Sequence, residues 1–247
     1  MIKKILKKVY LSSLKVIGNK GLGRMPILKQ LNKKILKTIK SSSEPVFVNG
    51  FKMYLDKQDS SGFSLETGYE KIETQVMKDN IKKGDVVIDC GANIGYYSLL
   101  FSKLVGDSGK VFAFEPDPTN FSLLQKNLKE NNIKNVIALN LAVSDKNEKN
   151  ILFLDKYNVG HHRMYSEGGN DKGEIKVDCV RLDNYFKDFG KKISFIKMDI
   201  EGSEGKAIKG ALNLIKKNKN IKLVLKYFPD GLMSCETNPK ELLILLK

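Results

Sequence analysis

Residues 86–100 read VVIDCGANIGYYSLL, an apolar run that ends in an aspartate and gives way to Gly91, Asn93 and Gly95 at alternate positions. Such a turn after a strand brings backbone amides close to a ligand. A dinucleotide fingerprint would carry glycine at the middle position as well, because pyrophosphate approaches the backbone there. Here Asn93 has a side chain, and Asp89 stands at the strand tip, where a carboxylate repels phosphate. No Gly-Lys-Ser or Gly-Lys-Thr follows, which excludes a P-loop. About 20 residues further on, Glu115 ends the next apolar run, placed to accept hydrogen bonds from ribose hydroxyls. The pattern asks for a nucleoside with positive charge and no phosphate. S-adenosylmethionine has the ribose, the ammonium and the sulfonium, and its carboxylate suits the loop amides and the helix N-terminus after Gly95.

Two further groups could act on such a ligand. Asp199 and Glu201 follow the run ISFIKM, and His161 and His162, the only histidines, sit side by side after Gly160. Methyl transfer from a sulfonium is an in-line displacement that depends on alignment. A hydroxyl acceptor is a weak nucleophile, so a base beside it helps. The catalytic candidates are Glu201, Asp199, His161 and His162, with either Glu201 or a histidine as the base. Asp199 can equally bind the methionine ammonium, and Glu201 can serve the first turn of the next helix. Adjacent histidines lack the i, i+4 spacing of a helical metal pair, so no metal is expected and they read as substrate contacts.

Such residues need elements that hold them at one edge. EPVFVNGFKMYLD carries two alternating runs around Asn49-Gly50, a strong hairpin signal. A helical pattern covers 69–80, with Ile72, Val76 and Met77 on one side. Core strands follow at 86–90, 110–115, 135–140, 193–198 and 221–227. Between them come a helix through Leu104, one capped by Asp117 and opened by Pro118, and one over 204–217. ILFLD and EIKVDCV are strand-like runs on either side of a polar loop over 156–173, expected to roof the acceptor site. The alternation predicts an α/β fold, a doubly wound, mostly parallel Rossmann-like sheet with helices on both faces. Its ligand would sit at the carboxyl ends of the strands.

Five blocks in order, VVIDCGANIGYYSLLFSK, VFAFEPDPTNFSLLQKNL, LNLAVSD, GHHRMY and ISFIKMDIEGSEGKAIKGA, resemble the FkbM family of SAM-dependent methyltransferases across residues 69–228. The resemblance implies a class I methyltransferase fold and O-methylation of a hydroxyl on a sugar, glycan or other small molecule. It implies that Asp89, Gly91, Asn93 and Gly95 line the methionine end and that Glu115 holds the ribose. Residues 142–145, starting at Ala142, would lie near the adenine, and Asp199 with Glu201 would close the site by the reacting methyl. Glu70 and Pro116 join the cofactor contacts on the same ground. Lys226 departs from the family pattern, which usually has an acid there; it either meets an anionic acceptor or is a surface side chain. The chain also ends inside the helix begun by NPKELLILLK. The last strands of a full sheet are therefore expected to be missing, with that edge exposed or covered by a partner.

Charge divides the chain at residue 43. Residues 1–43 hold no Asp or Glu and 12 of the cations behind the net +15, leaving +3 for residues 44–247. Apolar side chains at helical spacing make 1–43 a basic amphipathic arm preceding a methyltransferase-like domain over 44–247. The arm is by default a packed helical cap; otherwise it is a peripheral contact for a membrane surface or an anionic partner. Lysines interrupt every apolar stretch that could serve as a signal peptide, and no run approaches the roughly 18–20 apolar residues of a membrane span. Three scattered cysteines without Cys-x-x-Cys spacing fit a reducing, cytoplasmic compartment. Two other classes stand beside this reading. One is an RNA methyltransferase that grips through the arm, although Tyr10 is the arm's only aromatic and no Asn-Pro-Pro-aromatic clamp stands at 198–201. The other is a non-catalytic SAM-fold binding protein.

Overall fold

The computed structural model describes residues 44–57, 59–63, 70–156 and 158–246, in two units that meet in sequence at Glu70. The arm expected over 1–43 and the start of the helix expected at 69 lie outside the described residues. In the first unit, β1 (Val46–Val48) and β2 (Phe51–Met53) form the antiparallel hairpin that Asn49-Gly50 predicts. Both turn residues have positive φ, 48° and 87°, as a two-residue turn matched to strand twist requires.

The second unit begins with α1 (Lys71–Asn80), β3 (Val86–Cys90), α2 (Tyr96–Val105), β4 (Lys110–Phe114), α3 (Pro118–Glu130) and β5 (Val136–Leu139). A smaller set follows: β6 (Ala142–Val143), β7 (Lys149–Asp155), β8 (Asp171–Val180) and α4 (Leu182–Tyr185). The chain then returns to the main sheet through β9 (Phe195–Met198), α5 (Glu204–Lys209), α6 (Leu212–Lys217) and β10 (Lys222–Leu225), ending in α7 (Pro229–Ser234) and α8 (Pro239–Leu245).

Five strands lie in the order β10-β9-β3-β4-β5, every pair parallel. All five residues of β3 are buried, as the centre of a sheet covered on both faces demands. On one face Ile88, Phe112 and Ile196 pack against Phe186, Ile208 and Ala211, with the Phe112 and Phe186 rings edge-on at 4.9 Å. On the other, Phe101 of α2 meets Phe195 at 6.1 Å. From β3 the sheet grows one way through β4 and β5 and the other way through β9 and β10. The switch point, where such folds bind ligands, therefore lies at the carboxyl ends of β3 and β9.

The runs ILFLD and EIKVDCV do not extend that sheet. β7 and β8 pair antiparallel, β6 adds to β8 in parallel, and Ala142, Leu152, Val177 and Cys179 form a small core of their own. The intervening loop folds back on this hairpin through backbone bonds between Phe153 and Arg163, 2.8 and 3.1 Å.

Two local expectations fail for tertiary reasons. The helix expected over 204–217 is two helices broken at Gly210–Ala211, because Gly210 runs against the chain at Ser144, whose carbonyl oxygen a Cβ would strike. The Gly210 carbonyl accepts from the Asp183 amide (2.9 Å), and Asp183 in turn accepts from the Leu214 amide (2.8 Å). On α1 the buried face runs through Thr74 and Met77, with Thr74 bonded to the Tyr96 hydroxyl (3.1 Å); Ile72 is 78% exposed and Val76 39%. No helix among the described residues is long and apolar enough to cross a membrane.

Candidate active site

Gly91, Asn93 and Gly95 have φ of 75°, 50° and 97°, so the alternate positions all lie in the left-handed region. Glycine enters that region freely, and asparagine is among the few other residues that tolerate it. Part of the glycine requirement comes from the protein itself. A Cβ at Gly91 would strike the Asp199 carbonyl oxygen, and one at Gly95 would come within 2.7 Å of Leu124 Cδ1. Gly95 is also the N-cap of α2, so the first-turn amides of that helix have no side-chain cap.

Asp89 does not face the crevice. Its carboxylate is completely buried and accepts from Ser98 Oγ (2.7 Å) and Lys197 Nζ (3.2 Å). Lys197 also donates to the Gly91 carbonyl (3.3 Å) and lies over the Tyr97 ring. The charge expected to repel phosphate is thus neutralised from below, and Asp89 with Lys197 anchors the loop.

Glu115 sits where the strand pattern places it. Oε2 accepts from the Asn93 amide (2.7 Å) and Oε1 from the Asp117 amide (3.0 Å), while Asn140 donates to the carbonyls of Glu115 and Pro116 (2.8 and 2.9 Å). Each carboxylate oxygen keeps a lone pair for a further donor. Burial pushes its pKa up to about 7, against the pull of these amides. Asp117 caps α3 through the Asn120 amide (2.7 Å) with Pro118 at the first position, as predicted. Ala142 lies in β6 with its methyl group in the small core. Glu70, the last residue of the other unit, is half-buried at φ 40°.

The adjacent histidines separate. Asn120 donates to the Val159 carbonyl (2.9 Å) and Asn158 Oδ1 accepts from the Gly160 amide (2.8 Å), fixing a tight turn at 159–161 beside Asn93. His162 turns inward: the Asp155 amide donates to its Nδ1 (3.0 Å), and its Nε2 lies 4.0 Å from Asp117 Oδ2. Burial holds its pKa below the usual histidine value despite the nearby Asp117 and Asp155. It joins the hairpin to the cap of α3. His161 is open to solvent, with Nε2 4.0 Å from Glu201 Oε1.

The turn after β9 presents Glu201 by an unusual backbone. Glu201 has φ 51°, and Gly202 (φ 99°) packs so closely on Gly231 that no side chain fits. Glu204 holds this turn by accepting the amides of Ile200 (3.0 Å) and Gly202 (2.9 Å). Lys226, at the end of β10, donates to Glu201 Oε1 (2.7 Å) and lies 3.4 Å from Asp199 Oδ1, within ion-pair distance but without hydrogen-bond alignment. Burial alone would lower its pKa, yet Asp199 and Glu201 together raise it. Lys226 is therefore neither a plain surface lysine nor an uncommitted cation awaiting an anionic acceptor.

Asp199, Glu201 and His161 thus gather with Lys226, and Asn93 with Glu115, whereas Asp89 and His162 serve the scaffold. Sequence reasoning missed Lys197, Glu204 and the partners of Lys226. A lysine in the middle of the core run ISFIKM was the available signal for the first.

Burial also pushes Glu204 to about 7. With a folded value above the ordinary 4.5, folding takes up protons between those pH values, so this contribution to stability is full below about pH 4.5 and is lost as pH rises to 7. Glu204→Gln should therefore gain on the parent in urea denaturation between pH 5 and 8, by up to a few kcal/mol. A constant difference would refute the assignment.

The Methyltransferase FkbM domain family matches residues 89–238, more than half of the chain. The chain belongs to this family of SAM-dependent methyltransferases. Among curated relatives, Methyltransferase 1 of Beauveria bassiana (strain ARSEF 2860) is 24% identical over 143 residues, 50% of this chain and 57% of that one. The 31-O-demethyl-FK506 methyltransferase FkbM of Streptomyces tacrolimicus is 28% identical over 159 residues, 53% of this chain and 60% of the relative. The chain thus spans little more than half the length of these relatives. The crystal structure of the FkbM methyltransferase from Methylobacillus flagellatus KT is similar with a TM-score of 0.44 and 19% identity, over 74% of this chain and 46% of that one.

Proposed function

We propose that this chain transfers a methyl group from S-adenosylmethionine to a hydroxyl oxygen of a small, hydroxylated molecule of the sugar or glycan kind. The observation that carries this reading is a surplus of acceptors. Asn93 Oδ1 and Asn120 Oδ1 are buried without a hydrogen-bond donor among the described residues, Glu115 has lone pairs to spare, and Asp199 Oδ1 has the Lys226 ammonium at 3.4 Å without hydrogen-bond alignment. Buried acceptors left unmet are costly, so such a set suits a ligand rich in donors. S-adenosylmethionine offers an adenine amino group, two ribose hydroxyls and an ammonium, whereas the bridging diphosphate of a dinucleotide offers no donor at neutral pH. Its one carboxylate suits the uncapped first turn of α2.

On this reading Glu115 holds the ribose, Gly91, Asn93 and Gly95 shape the methionine end, and Asp199 meets the ammonium. Pro116 and the backbone at Ala142 complete the cofactor contacts. His161 and Glu201 stand on the acceptor side. Once bound, the cofactor would supply an electrophilic methyl carbon to the acceptor oxygen, with sulfur keeping the electron pair of the carbon–sulfur bond. The acceptor's proton must then be taken up by the protein or by water. The Streptomyces relative's name specifies a 31-O-demethyl acceptor, which supports an oxygen acceptor here.

The test is a tritiated-methyl transfer screen over glycans, polyhydroxylated small molecules, lipid head groups and RNA. Label on a hydroxyl of a glycan or other small molecule is the expected result. Label on RNA alone, or no S-adenosylmethionine binding in calorimetry, would overturn the reading.

A further inference from the structure

Three separate elements bring charged side chains together on the acceptor side. The turn after β9 supplies Asp199 and Glu201, the end of β10 supplies Lys226, and the turn beyond β7 supplies His161. Lys226 Nζ lies 2.7 Å from Glu201 Oε1, and His161 Nε2 lies 4.0 Å from that same oxygen. One ammonium between two carboxylates leaves a single negative charge beside the more exposed of the two imidazoles. We propose that Lys226 is the positioning residue of this site: it clamps Glu201, so that His161 takes the acceptor's proton and Glu201 steadies the imidazolium formed. This deepens the O-methyltransferase reading and rests on it.

Glu201 is a poor destination for the proton. Protonating it would break a short, charge-assisted bond and leave a part-buried ammonium with fewer partners. His161 has no such commitment through Nε2, and an imidazole is matched to proton transfer near neutrality. In the transfer the hydroxyl proton passes to the Nε2 lone pair of His161. The imidazolium formed lies beside Glu201, whose Oε1 is 4.0 Å from Nε2, near enough for the carboxylate to stabilise the new charge without taking the place of the acceptor oxygen. The left-handed backbone of Glu201 serves the same arrangement, since an unusual φ persists only where the surroundings over-determine it. Two other titratable groups interact with the cluster, Tyr165 with Glu201 and Glu204 with Asp199. Burial pushes Tyr165 of the hairpin loop up to about 12, so it is neutral near pH 7. Glu204, pushed by burial to about 7, titrates in the same range and must be controlled for.

With two histidines in the chain, proton NMR of the full-length protein can follow each imidazole from pH 5 to 9. In Lys226→Met the titration of His161 should move to higher pH by about 0.5–1 unit relative to the parent, because Glu201 is left free to pair with it. Lys226→Arg should keep the parent's curve, and Glu201→Gln should move it lower. His162, lodged between Asp155 and Asp117, should not move in any of them. Repeating Lys226→Met in a Glu204→Gln background removes the neighbouring titration.

An unmoved His161 in Lys226→Met, or both histidines moving together, overturns the clamp. If Lys226→Met does not fold, Glu201→Gln decides, and an unmoved His161 there also overturns it. Calorimetry with S-adenosylmethionine on the same samples keeps the two readings apart. Failure of the parent to bind sinks the methyltransferase reading, while the histidine titrations judge the clamp alone.

Discussion

Lys197→Met should destabilise the protein by about 3–5 kcal/mol in urea or guanidinium denaturation, the cost of leaving a buried charge without its partner. Asp89 is completely buried at the tip of β3, and Lys197, from the neighbouring strand β9, is its cation at 3.2 Å. Methionine retains the volume of the lysine stem but gives up the ammonium's contacts with the Gly91 carbonyl and the Tyr97 ring as well as with Asp89, so the double variant is needed to read the charge. The double variant Asp89→Asn/Lys197→Met should recover much of the deficit, because an amide is far cheaper to bury than a carboxylate. A single variant within 1 kcal/mol of the parent, or a double variant no better than the single, would show that the pair does not hold the loop.

The second large effect concerns the cofactor. Glu115→Ala should weaken S-adenosylmethionine by about 1.5–3 kcal/mol in calorimetry, the worth of hydrogen bonds to a charged acceptor. The variant also strands the Asn93 and Asp117 amides, so a circular dichroism spectrum matching the parent is needed before the number is read. Glu115→Gln separates charge from shape. Burial puts the free carboxyl near 7 and binding favours its ionised form, so the parent's affinity should tighten as pH rises from 6 to 8. That slope should flatten in the glutamine variant. Equal slopes would remove Glu115 from the cofactor site.

How far these features were legible in the sequence depended on how locally they are determined. The turn at 91–95 follows a buried strand and repeats residues that tolerate left-handed backbone, so type and spacing expose it. Glu115 ends the next strand, and the Asp117-Pro118 cap is a neighbour-to-neighbour device. Lys197 and Asp89 are 108 residues apart and meet only once β9 lies beside β3. The partners of Lys226 likewise come from the adjacent strand end, and its role depends on the backbone of Glu201, to which no residue type points. His161 and His162 are indistinguishable as letters; a short turn sends one inward and leaves the other out. Gly210 breaks a good helical pattern because Ser144 occupies the space its Cβ would need.

The conformation of residue 201 has a consequence for anyone improving this protein. A backbone at φ 51° would sit more comfortably under glycine, so natural chemistry and mechanical comfort pull in opposite directions there. A library enriched for heat resistance alone would meet opposed pressures at 201, since glycine there relieves the backbone but strips Lys226 of its partner at 2.7 Å.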